Sequence, residues 1–463
     1  MNLVYGVKDK PKFGQLIVFA FQQLLAILAA TIAVPAIVGN GMSQSAALFG
    51  AGVGTIVYLL FTKFRSPVFL GSSFAFLGSM FAAFAGAAST AAGHAGIIIG
   101  AIFAGLVYVV IALVVKFAGV KWINKLMPAV VIGPTVAIIG LSLAGNAIGD
   151  AVGVASEGGV FSMNAHAWVC LICALVTLFT VIICSVYGKK MAKLIPFIIG
   201  IVGGYLVATV FTLIGNATNN DALKIIDFSL FNNMRWVPDF TFVKAFDGIK
   251  EINGKYIATL AVAYIPVAFV VFAEHIADHK NLSTIIGSEL LEEPGLHRTL
   301  LGDGVGSIAG AFFGGCPNTT YGESVGCVAI TGNASVATIL VTAIMAIVAS
   351  FFAPFVTFLA TIPSCVMGGV CITLYGFIAV SGLKMVQKVD LGQNKNLFVV
   401  SVILIAGIGG MTLKIGQVTL TEVAVALILG IITNLIVSKS KEKPSEETVE
   451  TSETIETKEE VNE

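Results

Sequence analysis

Two carboxylates stand inside an otherwise apolar stretch of this sequence, at a spacing that suits the binding of a polar ligand. Glu274 and Asp278 are four residues apart, so a helix places both carboxylates on one face. His275 is rotated by about 100° from Glu274 around such a helix and lies off that face. The alternative for Asp278 and His279 is a solvated helix end.

Two further carboxyl groups have surroundings that suggest a role in binding. Glu323 follows the polar stretch 318–322 and is predicted to begin a helix, whose N terminus stabilises a carboxylate. Asp303 lies in the glycine-rich stretch 301–305. A role only as an N-terminal helix cap is the alternative for both residues.

Together these groups indicate the chemistry of a ligand. Glu274 and Glu323 accept hydrogen bonds from N–H groups, and an extended Thr/Tyr/Gly segment before Glu323 offers backbone N–H donors to carbonyl groups. That combination complements a planar cyclic imide or ureide. A low-dielectric surrounding favours the neutral form of a carboxyl group, which can then carry a proton. In a membrane protein these residues predict proton-coupled uptake of a neutral heterocycle.

The elements that must position these residues are membrane-spanning helices. Of 463 residues, 57% are hydrophobic and only 11% charged, whereas a soluble domain has about 25% charged residues. Continuous apolar runs without alternation cross a bilayer as helices. We predict an all-α polytopic membrane protein with about fourteen transmembrane spans, at residues 14–37, 45–62, 68–84, 95–117, 128–148, 167–187, 194–215, 257–279, 299–314, 323–333, 336–353, 363–381, 396–411 and 421–437.

Lysine and arginine residues alternate between the predicted loops and indicate the orientation of the chain. They cluster near the N terminus, in every second loop and in the C-terminal tail. Because cytoplasmic loops are enriched in Lys and Arg, both termini are predicted to be cytoplasmic, in a multi-pass protein of the cell membrane. Residues 218–255 are then an extracytoplasmic loop, and the Glu/Lys/Thr-rich residues 438–463 are a disordered cytoplasmic tail.

Two of the predicted spans are interrupted at matching positions. The third has Gly71, Ser72 and Ser73 in its first half, and the tenth is shortened by the Gly- and Pro-containing stretch 314–322. Such interruptions point to the binding site of a transporter, because unwound backbone is tolerated where it lines a cavity. Each interrupted span is the third of seven, which predicts a 7+7 inverted repeat.

Other kinds of function find little support in the sequence. Lys+Arg and Asp+Glu both number 26, which indicates no nucleic-acid partner. No nucleophile–base arrangement is evident, and no further metal-ligand pattern joins His275 and His279. We therefore expect a protein of the lipid bilayer that is not an enzyme. We also expect no metal site, and no cofactor, with the proton as the coupling ion.

Four motifs resemble those of the uracil-transporting members of the nucleobase–ascorbate transporter family of nucleobase:cation symporters. They are Ala-Glu-His-Ile at 273–276, Glu-Pro-Gly-Leu-His-Arg at 293–298, Phe-Phe-Gly-Gly-Cys-Pro-Asn-Thr-Thr-Tyr-Gly-Glu at 312–323 and Gly-Ser-Ser-Phe-Ala-Phe at 71–76. The resemblance extends over nearly the whole chain apart from the tail, from about residue 5 to residue 437.

The resemblance implies a domain organisation and a mode of transport. The core domain comprises residues 1–126 and 256–360, and the gate domain comprises residues 127–217 and 361–437. Short antiparallel strands are expected in spans 3 and 10. Members of the family similar to this chain import uracil together with protons, by alternating access of core against gate, and commonly form homodimers.

The resemblance also implies which residues form the site. The residues that match the family's substrate contacts are Glu274, Glu323, Gly322, Tyr321, Phe74 and Ala30. The candidates for carrying the coupled proton are Glu274, Asp278 and Asp303.

The chain departs from the uracil-type pattern at three positions. Asp278 stands where histidine is expected, Ser324 stands where asparagine usually follows the second glutamate, and Gln23 replaces a histidine often found in the first span. Asp278 and Asp303 resemble purine-transporting relatives, whereas Glu323 is the uracil-type residue. A xanthine- or urate-type purine:proton symporter is therefore the first alternative, and an anion exchanger of the same fold is the second.

Overall fold

The computed structural model describes most of the chain as a bundle of helices. The described residues are 3–119, 128–157, 159–189, 191–415 and 418–438. The predicted disordered tail lies outside the described residues, apart from Ser438.

Each of the fourteen predicted spans has a helical counterpart among the described residues. The helices of the first half are α1 (Phe13–Val38), α2 (Gln44–Phe61), α3 (Leu77–Ala85), α4 (Thr90–Ala118), α5 (Ala129–Ser142), α6 (Ala144–Val152), α7 (Ala165–Tyr187), α8 (Met191–Leu194) and α9 (Pro196–Thr218). Those of the second half are α10 (Thr241–Gly248), α11 (Gly254–Ile286), α12 (Leu296–Gly314), α13 (Gly322–Thr331), α14 (Val336–Ser350), α15 (Ala353–Ala360), α16 (Ser364–Val386), α17 (Asn394–Ile408) and α18 (Glu422–Val437). The fifth predicted span is divided between α5 and α6.

The strands are few and short. They are β1 (Leu70–Ser72), β2 (Ser156–Glu157), β3 (Val160–Phe161), β4 (Asn318–Thr320), β5 (Leu413–Ile415) and β6 (Val418–Leu420). Within the described residues they form three antiparallel pairs, β1 with β4, β2 with β3 and β5 with β6. The first pair joins the two halves of the chain, and the other two are local hairpins.

The lengths of the helices separate full spans from interrupted ones. In the described part of the chain, eight helical segments are long and apolar enough to cross a membrane when α5 and α6 are counted together as one, Ala129–Val152. The count is nine if α14 and α15 form one span bent by 81°. Helices α3 and α13 have only 9 and 10 residues, because in spans 3 and 10 a strand precedes the helix. Both interruptions were predicted from the sequence.

Helix α11 runs further than its apolar pattern predicts. It continues past the predicted end at residue 279 to Ile286, where Gly287 closes it in the left-handed conformation with φ 67°. His279 is therefore in the middle of a helix and only 1% exposed. The alternative of a solvated helix end at Asp278 and His279 is wrong.

The strand pair β1–β4 lies buried at the centre of the bundle, as expected for spans 3 and 10. Leu70 pairs with Thr320, Gly71 with Thr319 and Ser72 with Asn318. A side chain on Gly71 would collide with the ring of Tyr321, because a Cβ there would lie 2.3 Å from it. Glycine at this position therefore allows Tyr321 to lie across the strand.

The helices pack in two groups that meet along a few helices. In the first group α12 packs on α2 and α4, α11 packs on α4, α14 packs on α2, and α1 packs on α14 and α2. In the second group α5, α6 and α7 pack on α16, α9 packs on α7, and α17 and α18 pack on α5. Helix α1 contacts α9 and α16, and α11 contacts α5 and α18. The cavity described below lies between the two groups.

Glycines allow α2 and α12 to approach each other closely. A Cβ added at Gly50 would lie 2.6 Å from the carbonyl oxygen of Gly310, which is backbone and has little freedom to move. At Gly314 an added Cβ would meet the carbonyl oxygen of Ala46 at the same distance, 2.6 Å. The contact holds the helices on which β1 and β4 rest.

Substitution of Gly50 by valine is expected to destabilise the fold. The added side chain forces α2 and α12 apart, and overpacking of this kind costs about 1–3 kcal/mol. Thermal melting of the detergent-purified protein measures the effect. Gly149→Val is the matched control, because a Cβ at Gly149 has nothing within 4 Å. Equal melting temperatures for the two variants would contradict the proposed role of the close approach.

Candidate functional site

A cavity of ≈ 380 Å³ lies beside the central strand pair, between α11, the β4–α13 junction and α16. Its volume is in the range of small-molecule sites, which begin at about 300 Å³. It brings together most of the residues predicted to contact a substrate, namely Phe74, Glu274, Tyr321, Gly322 and Glu323. Ala30 is absent from the described lining, because it is 2% exposed and packed within the bundle on α1.

The charge of the cavity comes from carboxylates. Among the described residues that line it, the charged ones are Glu274, Asp278 and Glu323. Glu274 and Asp278 project from one face of α11, as their spacing predicted. All three are partly exposed. An anionic ligand would be repelled here, whereas N–H groups of a neutral ligand would find acceptors.

Asp278 is tied to the central strand pair. Thr320 Oγ1 donates a hydrogen bond of 2.8 Å to Asp278 Oδ2. Thr320 is itself fixed by its pairing with Leu70. The residue at which the chain departs most clearly from the uracil-type pattern therefore faces the cavity, held by a strand hydroxyl.

The junction between β4 and α13 provides backbone donors. Glu323 is the second residue of α13, after Gly322, so its predicted place at a helix start is confirmed. The N–H groups of Gly322 and Glu323 belong to the first turn and have no acceptor within the helix. The N–H of Tyr321 donates to Phe69 O at 3.2 Å, and its hydroxyl donates to Ser72 O at 2.8 Å. The N–H available to a ligand is therefore that of Gly322 rather than that of Tyr321.

The opposite wall of the cavity is mainly apolar. It is formed by side chains from α5, α9 and α16, namely Val136, Phe197, Leu374, Phe377, Ile378, Ser381 and Met385. Phe74 connects the two walls, since its ring meets that of Tyr375 edge-to-face at 5.7 Å. A flat ligand bound to the carboxylates would lie against this apolar surface.

Asp303 lies behind the cavity rather than in it. It is 0% exposed in the interior of α12, so the helix-cap alternative is wrong. Its Oδ2 lies 2.7 Å from His275 Nδ1, and His275 Nε2 lies 2.9 Å from Thr299 Oγ1. His279 stacks on His275 at 4.0 Å between ring centroids. The face of α11 that carries His275 and His279, next to the face that lines the cavity, is thus fixed by a buried polar network.

Several features of the site were not predicted from the sequence. The bond from Thr320 to Asp278 joins residues 42 positions apart, and the apolar wall comes from helices whose patterns mark every face as hydrophobic. Ser73 also lines the cavity, and its buried hydroxyl has no hydrogen-bond partner among the described residues. The run of two serines beside Phe74 was a signal for such a ligand-facing hydroxyl.

The sequence is similar to proteins of established name. It matches the permease family over residues 14–416. It is 41% identical to the uracil permease of Bacillus caldolyticus, with 94% of each chain covered. It is 37% identical to the uracil permease of Bacillus subtilis, over 95% of this chain and 97% of that one. The uracil permease of Escherichia coli K12 is 33% identical, with 93% of each chain covered.

The fold is similar to that of solved transporters. The transmembrane domain of the cyanobacterial bicarbonate transporter BicA has a TM-score of 0.59 at 16% identity, over 93% of this chain and 100% of that one. The murine anion transporter Slc26a9, in its inward-facing state, has a TM-score of 0.64 at 10% identity, over 93% of this chain and 69% of that one. At such low identity the likeness concerns the fold alone.

Replacement of Asp303 by alanine is expected to destabilise the protein. It leaves His275 Nδ1 buried without its partner, and a buried hydrogen-bonding group left unpaired costs about 1–3 kcal/mol. Thermal melting in detergent measures this loss. Asp221→Asn is the control, because Asp221 pairs with Lys224 at the surface. A wild-type melting temperature for Asp303→Ala would exclude a supporting role for the network.

Proposed function

This chain belongs to the permease family, as its motifs predicted, and we propose that it imports uracil together with protons. Membership of the family makes it a multi-pass membrane transporter rather than an enzyme. The observation that carries the proposal is the convergence of Glu274, Glu323 and the first-turn N–H groups of α13 on one cavity. The relatives of highest identity reported above are uracil permeases.

The proposed binding mode follows from the donors and acceptors of the cavity. The ring N–H groups of uracil donate to the carboxylates of Glu274 and Glu323. A ring carbonyl accepts from the N–H of Gly322, and Phe74 packs against the ring. The carboxylates favour a neutral ligand with N–H donors over an anion, which argues against the anion exchange that the fold alone would allow.

For the coupled proton we favour the carboxyl groups that face the ligand. Glu274 and Asp278 line the cavity one turn apart, and Thr320 holds one oxygen of Asp278 at 2.8 Å. Asp303, the third candidate, is bonded to His275 behind the site. Asp278 therefore takes the role that the family pattern gives to a histidine, with Glu274 as its neighbour.

Transport in this proposal is an elevator-like movement of the core domain, 1–126 and 256–360, against the gate domain, 127–217 and 361–437. The polar wall of the cavity belongs to the core and the apolar wall to the gate. With both termini in the cytoplasm, as proposed, the C-terminal end of α16 is its cytoplasmic end. Ser381 and Met385 of the gate lie near that end and line the cavity, so the cavity extends toward the cytoplasm. A homodimer is part of the proposal.

A competition assay tests the substrate. Uptake of radiolabelled uracil is measured at acidic outside pH in cells that lack their own uracil permease, with unlabelled uracil, 5-fluorouracil, xanthine and hypoxanthine as competitors. Inhibition by the two pyrimidines alone is expected. Inhibition by xanthine, together with uptake of labelled xanthine, would indicate a purine transporter instead. Transport of chloride, sulfate or bicarbonate without nucleobase competition would indicate an anion exchanger.

Glu323→Gln is expected to weaken uracil binding by roughly 10- to 100-fold, because a charged acceptor is replaced by a neutral one. The Kd of purified protein, measured by isothermal titration, checks this. Glu292→Gln is the control, since Glu292 is exposed in the short π-helical segment before α12. Unchanged affinity in a folded Glu323→Gln variant would refute the assignment of the site.

Asp278→Asn is expected to separate binding from proton coupling. The amide keeps an acceptor for Thr320 but cannot release or take up a proton. Exchange of internal for external uracil should persist, whereas accumulation driven by an acidic outside pH should be lost. Both are measured in proteoliposomes with an imposed pH gradient. Full acid-driven accumulation in this variant would assign the coupled proton to another residue.

A further inference from the structure

The helix that carries Glu323 is too short to hold its own position. Helix α13 has 10 residues, and its N-cap residue, Tyr321, makes no side-chain capping bond. Isolated helices shorter than about 12–15 residues are marginal even in favourable sequences. The direction of the Glu323 carboxylate therefore depends on what fixes the two ends of α13.

At the first end, Ser324 joins three elements. Its Oγ accepts a hydrogen bond of 3.0 Å from the backbone N–H of Phe69 and one of 2.5 Å from Gln23 Nε2 of α1. Ser324 is 0% exposed and Gln23 3% exposed, so water does not replace these bonds. Phe69 directly precedes β1 and accepts from Tyr321 N at 3.2 Å. The serine hydroxyl thus accepts the N–H of Phe69 just before β1, at the point where β4 has ended and α13 has begun.

These contacts account for two departures from the uracil-type pattern. Gln23 and Ser324 stand where a histidine and an asparagine are expected, and here they are bonded to each other. The two positions are 301 residues apart in the chain and are joined beside Glu323. The pair is one unit, formed by a donor on α1 and an acceptor on α13.

At the second end, the N-terminal strap, residues 3–9, is bonded to the loop that follows α13. Gly332 ends the helix with φ 66°, and its carbonyl oxygen accepts from Val4 N at 2.8 Å and Tyr5 N at 3.2 Å. Further along, Ala334 N donates to Tyr5 O at 2.9 Å. Two more bonds continue the contact, Val336 N to Val7 O at 3.1 Å and Ser335 Oγ to Asp9 O at 2.6 Å.

We propose that Ser324, Gln23 and the N-terminal strap are positioning elements that hold α13 at both ends and thereby aim Glu323 at the ligand. The same segment of chain, the strap followed by α1, makes both contacts. Loss of either end leaves the carboxylate in place but free to adopt other directions, so that affinity falls while the transport movement persists. As far as affinity is concerned, the inference rests on the proposed uracil function.

Hydrogen–deuterium exchange of residues 322–331 tests the positioning without reference to any ligand. Faster exchange is expected in Ser324→Ala, which removes the acceptor of two bonds, and in Val4→Pro, which removes the N–H that donates to Gly332. Ser350→Ala is a control, because Ser350 is 1% exposed and donates to Ile347 of its own helix. Val4→Ala is the control for Val4→Pro, because it keeps the backbone N–H. The Val4 side chain is 62% exposed, so its truncation removes little packing.

Uracil uptake by the same variants tests the consequence for function. Ser324→Ala and Gln23→Leu should each raise KM by about tenfold with Vmax within about twofold, and the double variant should be no worse than either single one. Ser324→Thr should restore the wild-type KM, because it keeps the hydroxyl. If Ser324→Ala fails to fold, the exchange of residues 322–331 and the KM for uracil in Gln23→Leu and Val4→Pro test the positioning role.

The outcomes separate this inference from the proposed function. Unchanged exchange in residues 322–331 in the folded Ser324→Ala and Val4→Pro variants would overturn the positioning role, whatever the substrate. Additive KM effects of Ser324→Ala and Gln23→Leu would show that the two residues do not act as a unit. Faster exchange in a protein that takes up no uracil would support the positioning and refute only the proposed function.

Discussion

The pairing of β1 with β4 is the interaction on which the rest of the molecule depends. Spans 3 and 10 each give up helical structure in the interior of the bundle, where an unpaired backbone N–H or C=O group costs several kcal/mol, about 2–7 by transfer data. The strands satisfy one another, and α2 adds a hydrogen bond to each of them. Leu70 N donates to Thr55 Oγ1 at 2.9 Å, and Asn318 Nδ2 donates to Gly50 O at 3.1 Å. The close approach of α2 and α12 brings these partners within reach.

The pairing also explains why donors and acceptors meet at one place. A strand that ends inside the bundle must be followed by a helix that begins there, so the first-turn N–H groups of α13 are exposed beside the cavity. The same N terminus stabilises the carboxylate of Glu323. Helix α11 then needs only two residues on one face, Glu274 and Asp278, to complete a set of acceptors around these donors.

The sequence predicted the features that depend on local pattern. Carboxylates within apolar stretches pointed to Glu274 and Glu323 as candidate binding residues, and interruptions in the apolar runs pointed to spans 3 and 10 as the place of the site. The register of Leu70 with Thr320 could not be predicted, because it joins residues 250 positions apart through backbone groups that every residue shares. Asp303 was identified as unusual, but its partner His275 was not, since nothing local to α11 and α12 fixes which of their faces meet. Ala30 was assigned to the cavity from a motif match, and its burial on α1 depends on packing that a motif does not encode.

The distribution of polar groups around the cavity has a consequence for the proposed movement of the core domain against the gate domain. Glu274 and Asp278 face the cavity, while His275 and His279, which lie off that face of α11, bond to Asp303 and Tyr58. These bonds join α11 to α12 and α2 of the first group, whereas the second group supplies the wall of the cavity that is mainly apolar. Apolar surfaces exchange contacts without leaving buried donors or acceptors unpaired, whereas breaking a buried polar contact leaves them so. In the proposed movement of core against gate, a wall that slides past the site is therefore best made of Phe, Leu and Ile, and the groups proposed to bind the ligand are best fixed to the core.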